Sequence, residues 1–358
     1  MVVHLCACMS TPSWFSRQLL PWYRAHHRAL PWRTTKEPYR IWLSEVILQQ
    51  TRVDQGLGYW LRFTERWPTV AALAKAREDE VLKLWQGLGY YSRARNLLAA
   101  ARQVVQEHGG IFPGSHAELL RLKGVGDYTA SAIASICFSR PEAVVDGNVF
   151  RVLARFAAIA TPIDSTSGRK HFKALATQLL DPGNPGDHNQ AVMELGAMVC
   201  TPRDPKCPGC PIQAQCAAFA TGTIAGLPVK QGKTKSRDRY FNYLHIAAKG
   251  GVYLCQRTGR DIWQGLFEPP LIESGKPLDR AAFTRVLEKQ LGKGWIIETR
   301  VARPPHVLSH QVVHAVFWRI VPPKGARPPA EWRVHSRPEL HALAVHRLVQ
   351  VWLETMEE

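Results

Sequence analysis

Apolar residues recur with helical spacing along most of residues 11–220, where short Gly, Pro and Asp breaks separate the periodic segments. The clearest of these segments are 69–85, 92–109 and 169–180. After residue 240 the pattern changes, since positions alternate over 314–321 and Lys249-Gly250-Gly251 predicts the turn of a β-hairpin. One long helix is predicted there over 279–292. We therefore predict a mainly α N-terminal region followed by an α+β domain.

The predicted domain limits follow from the same change in pattern. The helical region is predicted over 9–221 and the α+β domain over 240–358. Between them, residues 222–239 lose the periodicity and are basic and glycine-containing, as in a linker that lies against phosphate. With 358 residues, the chain is long enough for two domains that each have a core.

The charge balance indicates a polyanionic partner. The chain has 46 Lys and Arg residues against 29 Asp and Glu, a formal net charge of +17. Such an excess favours nucleic acid and makes binding sensitive to salt. A solvated basic surface without a specific partner is the alternative.

The sequence gives no signal for a membrane or secreted protein. No apolar run approaches the roughly 20 residues of a membrane helix, and the first residues lack a charged segment followed by a long apolar one. We expect a cytoplasmic location, where cysteines bind metals more often than they form disulfides. Met9 is an alternative start, which would leave Cys6 and Cys8 outside the functional chain.

Four cysteines lie close together in the segment CTPRDPKCPGCPIQAQC. They are Cys200, Cys207, Cys210 and Cys216, with the spacing C-x6-C-x2-C-x5-C. Four thiolates this close indicate tetrahedral binding of zinc or of an iron–sulfur cluster. Zinc sites more often contain two short C-x2-C pairs, so the single pair here favours iron–sulfur but leaves zinc open. The remaining cysteines have no partner at a metal-binding spacing.

Two carboxylates have unusual positions. Glu45 lies inside IWLSEVILQQT, where apolar residues point almost all the way round the predicted helix. Glutamate is rarely buried without a partner, which makes this position a candidate for chemistry. Asp146 begins the periodic helix of AVVDGNVFRVLARF and, taken alone, is an N-cap.

Gly124 and Gly126 break the segment 118–138 into two helices. The glycines permit a tight turn with exposed N–H groups beside a helix N-terminus, an anion site suited to a DNA phosphate. The pattern L-x-G-V-G-x-Y-T-A between two helices is that of a helix-hairpin-helix motif.

The chain resembles the helix-hairpin-helix DNA glycosylases that carry an iron–sulfur cluster, through LPWR, WLSEVILQQT, LWQGLGYYSRARNL, LKGVGDYTA, VVDGNVFRVLAR and the four-cysteine array, in this order. Among them it is most similar to the MutY-type adenine DNA glycosylases, which remove adenine mispaired with 8-oxoguanine. The resemblance implies two helical lobes with the active site in the cleft between them. One lobe is a six-helix barrel with the hairpin, and the other holds a [4Fe–4S] cluster on the four cysteines.

The resemblance also implies catalytic roles. Glu45 matches the family's general acid, and burial in an apolar pocket would raise its pKa toward neutrality. Asp146 matches a second carboxylate that stays ionised at its helix N-terminus and stabilises an oxocarbenium-like sugar. Tyr128 stands where the related endonuclease III enzymes have a Schiff-base lysine, and is expected to touch the sugar or Asp146. Asn148 matches a residue that orients the intermediate or water.

Other matching positions are expected to contact DNA. Gln50 and Tyr90 match residues that enter the duplex beside the orphaned 8-oxoguanine. Thr51 and Leu88 match residues on the face or edge of that base. The positions that form the adenine pocket match Trp32, Arg33 and Gln190. Gln190 also fits an amphipathic helix that packs toward the cluster.

The α+β domain resembles a Nudix fold through its strands and the segment DIWQGLFEPP. The nearest stretch to a Nudix box, RVLEKQLGKG, lacks the paired glutamates that hold magnesium, so nucleotide hydrolysis is not expected. The family recognises 8-oxoguanine through a Phe-Ser-His loop, which Leu308-Ser309-His310 matches with leucine in place of the aromatic ring. An ordinary β-turn is the alternative for this loop.

Together these features predict a monofunctional base-excision-repair enzyme that removes adenine opposite 8-oxoguanine or guanine. Its expected partner is double-stranded DNA, and we expect a monomer associated with the bacterial nucleoid. Two alternatives remain: a glycosylase/lyase of the endonuclease III kind, and a non-catalytic protein that binds lesions. The sequence does not identify protein partners.

Overall fold

The structure, a computed structural model, describes residues 13–232 and 236–355. These residues form two compact units, one of residues 13–75 and 99–232 and the other of residues 76–98 and 236–355. The alternative start at Met9 and the nearby Cys6 and Cys8 lie outside the described residues. Within the described ranges, no helix has the length and apolar character needed to span a membrane.

Helices dominate the first part of the chain. Their bounds are α1 Trp14–His26, α2 Pro38–Leu48, α3 Val53–Arg66, α4 Val70–Ala74, α5 Glu78–Trp85, α6 Ser92–His108, α7 His116–Leu119, α8 Asp127–Phe138, α9 Gly147–Phe156, α10 Thr166–Leu179, α11 Pro185–Met198 and α12 Ala217–Ala220. Short 3₁₀ turns lie at Pro31–Arg33 and Cys207–Gly209. The predicted helical pattern is therefore observed.

Helix α2, which carries Glu45, begins and packs for clear physical reasons. Pro38 occupies its first turn, and the Glu37 carboxylate accepts hydrogen bonds from two backbone N–H groups at 2.9 Å. Nearly the whole helix is buried because its apolar residues face both α3 and α8. Glu45 is thereby held on a rigid element between two other helices.

A second set of helices surrounds the cysteines. Helix α11 packs against α1, α8 and α9, and the core between them contains Phe15, Leu19 and Phe172. Cys200, Cys210 and Cys216 pack at the edge of this core. The array thus joins the end of α11 to the start of α12.

The second unit contains two sheets. Its strands are β1 Arg237–His245, β2 Ala247–Ala248, β3 Gly251–Gln256, β4 Phe267–Glu268, β5 Leu271–Ser274, β6 Ile296–Ala302, β7 His306–Val307, β8 Gln311–Val321 and β9 Arg333–His335. One sheet has the order β5-β1-β8-β6, with β7 also paired to β8, and the other has the order β2-β3-β4, with β9 paired to β3. Strands β1 and β8 are parallel, whereas the other strand pairs are antiparallel.

Three helices accompany these sheets: α13 Arg280–Leu291, α14 Arg337–Ala342 and α15 Arg347–Glu354. Helix α13 places Phe283 against Trp318 of β8, with ring centroids 4.0 Å apart. Both rings are fully buried, together with neighbours from β1, β5 and β6. This cluster is the core on one side of the larger sheet.

The predicted order of a helical region followed by a Nudix-like α+β domain is confirmed. The expected turn is present, since Ala248 pairs with Gly251, and α13 occupies the predicted helix. Strand β1 begins at Arg237, inside the predicted linker, because its residues pair with β8. The domain limits at 221 and 240 remain a prediction.

Candidate active site

Glu45 is the central carboxyl of the candidate site. Its side chain is 9 % exposed, and Oε2 accepts a hydrogen bond of 2.6 Å from the Tyr128 hydroxyl. Burial raises the pKa of Glu45 to about 7, and the negative charge of Asp146 acts in the same direction. The Tyr128 hydrogen bond and the charge of Arg33 oppose this rise. Glu45 is therefore a carboxyl that carries a proton for a substantial part of the time at neutral pH.

Tyr128 is placed by the helix-hairpin-helix turn. Gly124 has φ of +75°, and Gly126 is the N-cap of α8, so Tyr128 lies in the first turn of that helix. Both glycines are exposed, as a phosphate-binding turn requires. Burial raises the pKa of Tyr128 well above its ordinary value, so its hydroxyl remains a donor. It donates to Glu45 rather than to Asp146.

Asp146 is the N-cap of α9, and both of its carboxylate oxygens accept hydrogen bonds. Its Oδ1 accepts from Val149 N at 2.7 Å, and Oδ2 accepts from Asn148 Nδ2 at 3.0 Å. The pKa of Asp146 is raised above its ordinary value because burial outweighs the hydrogen bonds from Val149 and Asn148 and the charge of Arg151, which lower it. The hydrogen bonds at the helix N-terminus favour the charged form of Asp146, as expected, but burial opposes them.

Asn148 is held by a side chain that the sequence analysis did not select. Arg151 donates to Asn148 Oδ1 at 2.8 Å, to the Gly196 carbonyl at 2.6 Å and to the Cys200 carbonyl at 2.7 Å. A Cβ atom at Gly196 would lie 2.7 Å from Asn148 Cβ, so only glycine allows α11 to approach α9 this closely. Asn148 therefore orients Asp146, and Arg151 connects both to the cysteine segment.

Arg33 forms a buried ion pair that the sequence analysis also did not predict. Its guanidinium donates to Glu194 at 2.9 and 2.7 Å, and Arg28 contacts the same carboxylate at 2.9 and 2.6 Å. Burial alone would raise the pKa of Glu194, but these hydrogen bonds outweigh it and lower the pKa to about 2. Glu194 is therefore ionised, and the guanidinium group of Arg33 is occupied by this ion pair.

Trp32 and Gln190, the other predicted adenine-pocket residues, have different environments. Trp32 is 6 % exposed and packs edge-to-face against Trp60, with ring centroids 5.7 Å apart. Gln190 is half-buried on α11. Their positions in an adenine pocket remain a prediction.

The four predicted metal ligands line one small cavity of about 20 Å³. Within the described ranges, no group of His, Cys, Asp or Glu side chains is arranged as a metal site. The donor chemistry nevertheless fits a cationic cluster. Burial, the largest cause, and the charges of the neighbouring thiolates raise the pKa of Cys210 to about 11, against the opposing effect of the hydrogen bond from the Ile212 backbone N–H. Arg155 is buried and contacts Cys200 Sγ at 3.5 Å, which supplies a compensating positive charge.

Gln50 and Tyr90 share an unusual backbone conformation. Gln50 has φ of +57° and Tyr90 has φ of +45°, in the left-handed region that few non-glycine residues adopt. Both side chains are exposed. Gln50 belongs to the unit of residues 13–75 and 99–232, and Tyr90 belongs to the unit of residues 76–98 and 236–355. Thr51, beside Gln50, is half-buried and its N–H donates to the Leu48 carbonyl at 3.1 Å. Both turns thus present a side chain outward.

In the second unit, the predicted recognition residues come together. A cavity of about 600 Å³ is lined by Leu88, Tyr90 and the loop Leu308–His310. The hydroxyl groups of Tyr90 and Ser309 are hydrogen-bonded to each other, although 219 residues separate them in the chain. Trp263, which has φ of +63° and stacks on His346 with centroids 3.8 Å apart, also lines this cavity.

The residues missed by the sequence analysis differ in how detectable they were. Glu194 lies alone in the apolar stretch AVMELGAMV, the same signal that singled out Glu45. Arg28 and Arg151 carry no such signal, because their partners are distant in the chain or belong to the backbone.

Comparisons with known proteins identify two domain families in the chain. Residues 43–177 match the HhH-GPD superfamily of base excision DNA repair proteins, and residues 242–355 match the NUDIX domain. Glu45, Tyr128, Asp146, Asn148 and Arg151 lie within the first match.

Curated relatives carry the name adenine DNA glycosylase. The rat protein is 48 % identical over 238 residues, which cover 63 % of this chain and 46 % of that protein. The Arabidopsis thaliana protein is 36 % identical over 334 residues, covering 82 % of this chain and 53 % of that protein. The chain therefore spans about half the length of these relatives.

Solved structures show the same helical fold. A thermostable thymine-DNA glycosylase has a TM-score of 0.54 and 29 % identity, covering 58 % of this chain and 95 % of that one. An endonuclease III in a non-covalent DNA complex has a TM-score of 0.50 and 20 % identity, covering 57 % and 94 %. A bacterial relative, the adenine DNA glycosylase of Buchnera aphidicola subsp. Baizongia pistaciae, is 35 % identical over 71 % of this chain and 72 % of its own length. The chain thus belongs to the adenine DNA glycosylase family.

Proposed function

We propose that this protein hydrolyses the N-glycosidic bond of adenine paired with 8-oxoguanine or guanine in double-stranded DNA. The observation that carries the proposal is the contrast between two buried glutamates. Glu194 is paired with two guanidinium groups, whereas Glu45 accepts its hydrogen bond from a neutral phenol. Only Glu45 is therefore suited to hold a proton and release it near pH 7.

Glu45 is the general acid of the proposed reaction. Its proton is transferred to N7 of the extruded adenine, which makes the base a better leaving group. The carboxylate that remains keeps the hydrogen bond from Tyr128, so its negative charge is not left unpaired. The glycosidic electron pair leaves with adenine and the sugar becomes an oxocarbenium-like cation.

Asp146 stabilises that cation, either through its charge or as a covalent sugar adduct. Its orientation is fixed by Val149 N and Asn148 Nδ2, and Asn148 is fixed in turn by Arg151. Water then adds to the sugar carbon, displacing the Asp146 carboxylate if an adduct has formed. The proton that water loses returns to the Glu45 carboxylate, and the products are free adenine and an abasic site. Glu45 acts as the acid and Asp146 stabilises the cation, because the two carboxyl groups have different hydrogen-bond partners.

Tyr128 distinguishes this reaction from strand cleavage. A phenol with a raised pKa does not form a Schiff base, which requires an amine. The residue therefore supports hydrolysis alone and argues against the endonuclease III alternative. Its contact with Glu45 gives it a part in setting the acid's pKa.

We further propose that Cys200, Cys207, Cys210 and Cys216 hold a [4Fe–4S] cluster. When bound, such a cluster cross-links the loop that contains its ligands. Arg151 links the Cys200 backbone to Asn148, so the order of that loop supports the orientation of Asp146. The cysteine array thus has a positioning effect on the reaction.

The cavity lined by Tyr90 and Ser309 is proposed to recognise 8-oxoguanine, with Leu88 against the base. Gln50 and Tyr90 are proposed to enter the duplex, since both are exposed on turns with positive φ. The net charge of +17 supports binding to the phosphate backbone. We propose a monomer that acts at the bacterial nucleoid.

The test is single-turnover cleavage of a duplex with one adenine opposite 8-oxoguanine, analysed with and without alkali. Wild type is compared with Glu45→Gln and with Glu65→Gln, an exposed carboxyl on α3 of the same unit. We expect breaks only after alkali, lost in Glu45→Gln and retained in Glu65→Gln. Breaks without alkali would identify a lyase, and tight binding without adenine release would identify a lesion-binding protein.

A further inference from the structure

The segment of residues 142–144 leads directly into Asp146, the N-cap of α9. It belongs to no helix or strand, yet Ala143 and Val144 are each 1 % exposed. Buried backbone N–H and C=O groups outside regular elements need hydrogen-bond partners from side chains or water. The partners of this segment therefore decide where its backbone lies, and with it the Asp146 carboxylate.

Asn189 of α11 supplies one set of partners. Its Oδ1 accepts a hydrogen bond from Val144 N at 3.0 Å, and its Nδ2 donates to the Glu142 carbonyl at 2.8 Å and to Ser135 Oγ at 2.9 Å. Both hydrogens of the amide group are thus used. Asn189 is buried and Ser135 lies on α8, so this side chain joins the segment to two helices.

Lys173 of α10 supplies the other set. Its ammonium group donates to the Ala143 carbonyl at 2.8 Å, to Ser131 Oγ at 3.0 Å and to Asp127 Oδ2 at 3.0 Å. An ammonium group has three N–H donors, and these acceptors use all of them. Lys173 is therefore occupied within the protein, although α10 also carries exposed basic residues that a DNA phosphate could reach.

The contacted serines share a face of α8 with Tyr128. Ser131 and Ser135 lie three and seven positions after Tyr128, a spacing that places all three on one side of a helix. Helix α11 approaches this part of α8 closely, since a Cβ atom at Gly186 would lie 2.8 Å from Ile136 Cα. One face of α8 therefore carries both the donor to the catalytic acid and the anchors of the segment before the second carboxylate.

We propose that Lys173 and Asn189 are positioning residues for adenine release, because they fix the backbone before Asp146 to α8 and so place its carboxylate relative to the acid. This inference rests on the proposed function. Both side chains act through the backbone of residues 142–144 and not by contact with adenine or the sugar. A misplacement of about 1 Å can slow a reaction roughly 100-fold, so loss of one anchor should slow the chemical step and leave duplex binding unchanged.

The test compares Lys173→Met with Lys170→Met in the full-length protein. Methionine retains an unbranched side chain without the ammonium group, and Lys170 is an exposed lysine of the same helix. With enzyme in excess over a duplex containing adenine opposite 8-oxoguanine, the single-turnover rate constant should fall roughly 10–100-fold in Lys173→Met. It should stay within about twofold of wild type in Lys170→Met. The two variants should have the same duplex dissociation constant, because each loses one positive charge.

Two further measurements separate positioning from a loss of folding. A folding defect alone would lower the melting temperature and the fraction of protein that binds duplex, but the folded molecules would react at the wild-type rate constant. Amide hydrogen exchange of residues 142–150 should become faster in Lys173→Met and not in Lys170→Met, because an anchor of this segment is lost. Asn189→Ala removes the second anchor and should give the same slower reaction and faster exchange. Lys173 is partly exposed, so its variant decides the question even if Asn189→Ala does not fold.

Three outcomes would overturn the inference. The first is an equal single-turnover rate constant for Lys173→Met and Lys170→Met. The second is unchanged hydrogen exchange of residues 142–150 in Lys173→Met. The third is weaker duplex binding by Lys173→Met than by Lys170→Met with an unchanged rate constant, which would assign Lys173 to the DNA phosphate backbone. A wild-type protein that releases no adenine would instead overturn the proposed function, and the exchange rates would still decide whether the two side chains hold the segment.

Discussion

Replacing Tyr128 with phenylalanine is expected to change the pH range in which Glu45 acts as an acid. The phenol donates at 2.6 Å to Glu45 Oε2, and this bond stabilises the carboxylate more than the carboxylic acid. It therefore holds the pKa of Glu45 below the value that burial alone would produce. Phenylalanine removes the bond and retains the ring.

The magnitude follows from the strength of the bond. A hydrogen bond to a charged group contributes roughly 1.5–3 kcal/mol, and one pKa unit corresponds to about 1.36 kcal/mol. Glu45 is active when protonated, so the rate of the wild type should fall as the pH rises through about 7. In Tyr128→Phe the pKa of Glu45 is higher, so the rate should fall at a pH one to two units higher, at roughly 8–9.

The assay is the single-turnover rate of adenine release, measured from about pH 5 to about pH 10. Tyr39→Phe is the matched control, because its hydroxyl makes a buried hydrogen bond of 2.7 Å to the Trp67 carbonyl in the same unit. The rate of the control should fall as the pH rises through about 7, as in the wild type. An unchanged or lower pH for the fall in Tyr128→Phe would refute the reasoning, even if the rate is reduced at every pH.

Three further predictions concern the parts that support the site. Gly196→Ala places a Cβ atom 2.7 Å from Asn148 Cβ, so we expect roughly tenfold slower cleavage with unchanged duplex binding. A single-turnover rate within about twofold of wild type would contradict this. Cys210→Ser should lower the iron content and the cluster's visible absorbance, whereas the same replacement at Cys137 should not. Full iron content in Cys210→Ser would show that this residue is not a ligand. Ser309→Ala removes the partner of Tyr90, so the preference for adenine opposite 8-oxoguanine over adenine opposite guanine should fall by roughly fivefold. An unchanged ratio of the two rates would place recognition elsewhere.

The candidate site was predictable where its signals are local. A hairpin of two glycines, an N-cap aspartate and four clustered cysteines each arise within a short segment, and the structure retains each local arrangement. The observed partner of Tyr128 differs from the predicted ones, the sugar or Asp146. Its hydroxyl contacts Glu45 across 83 residues of sequence, a pairing that depends on how α2 packs against α8.

The second unit shows the same limit. Leu88 and Tyr90 were selected from one motif, LWQGLGYYSRARNL, and Ser309 from a distant segment. That they line one cavity depends on the packing of residues 76–98 with the Nudix-like domain. No periodicity in either segment carries that information, because side-chain spacing reports only the face of an element and not its partner.

The sequence by itself determined the helical and α+β parts, the hairpin, the cysteine array and the presence of a glutamate in an apolar helix. The apolar pattern alone did not distinguish Glu45 from Glu194, which share that last signal. Tertiary structure decided between them, because Arg28 and Arg33 come to Glu194 from other segments while Tyr128 comes to Glu45. A buried carboxyl's charge depends on its neighbours in space, so the proton is retained on Glu45 and lost from Glu194.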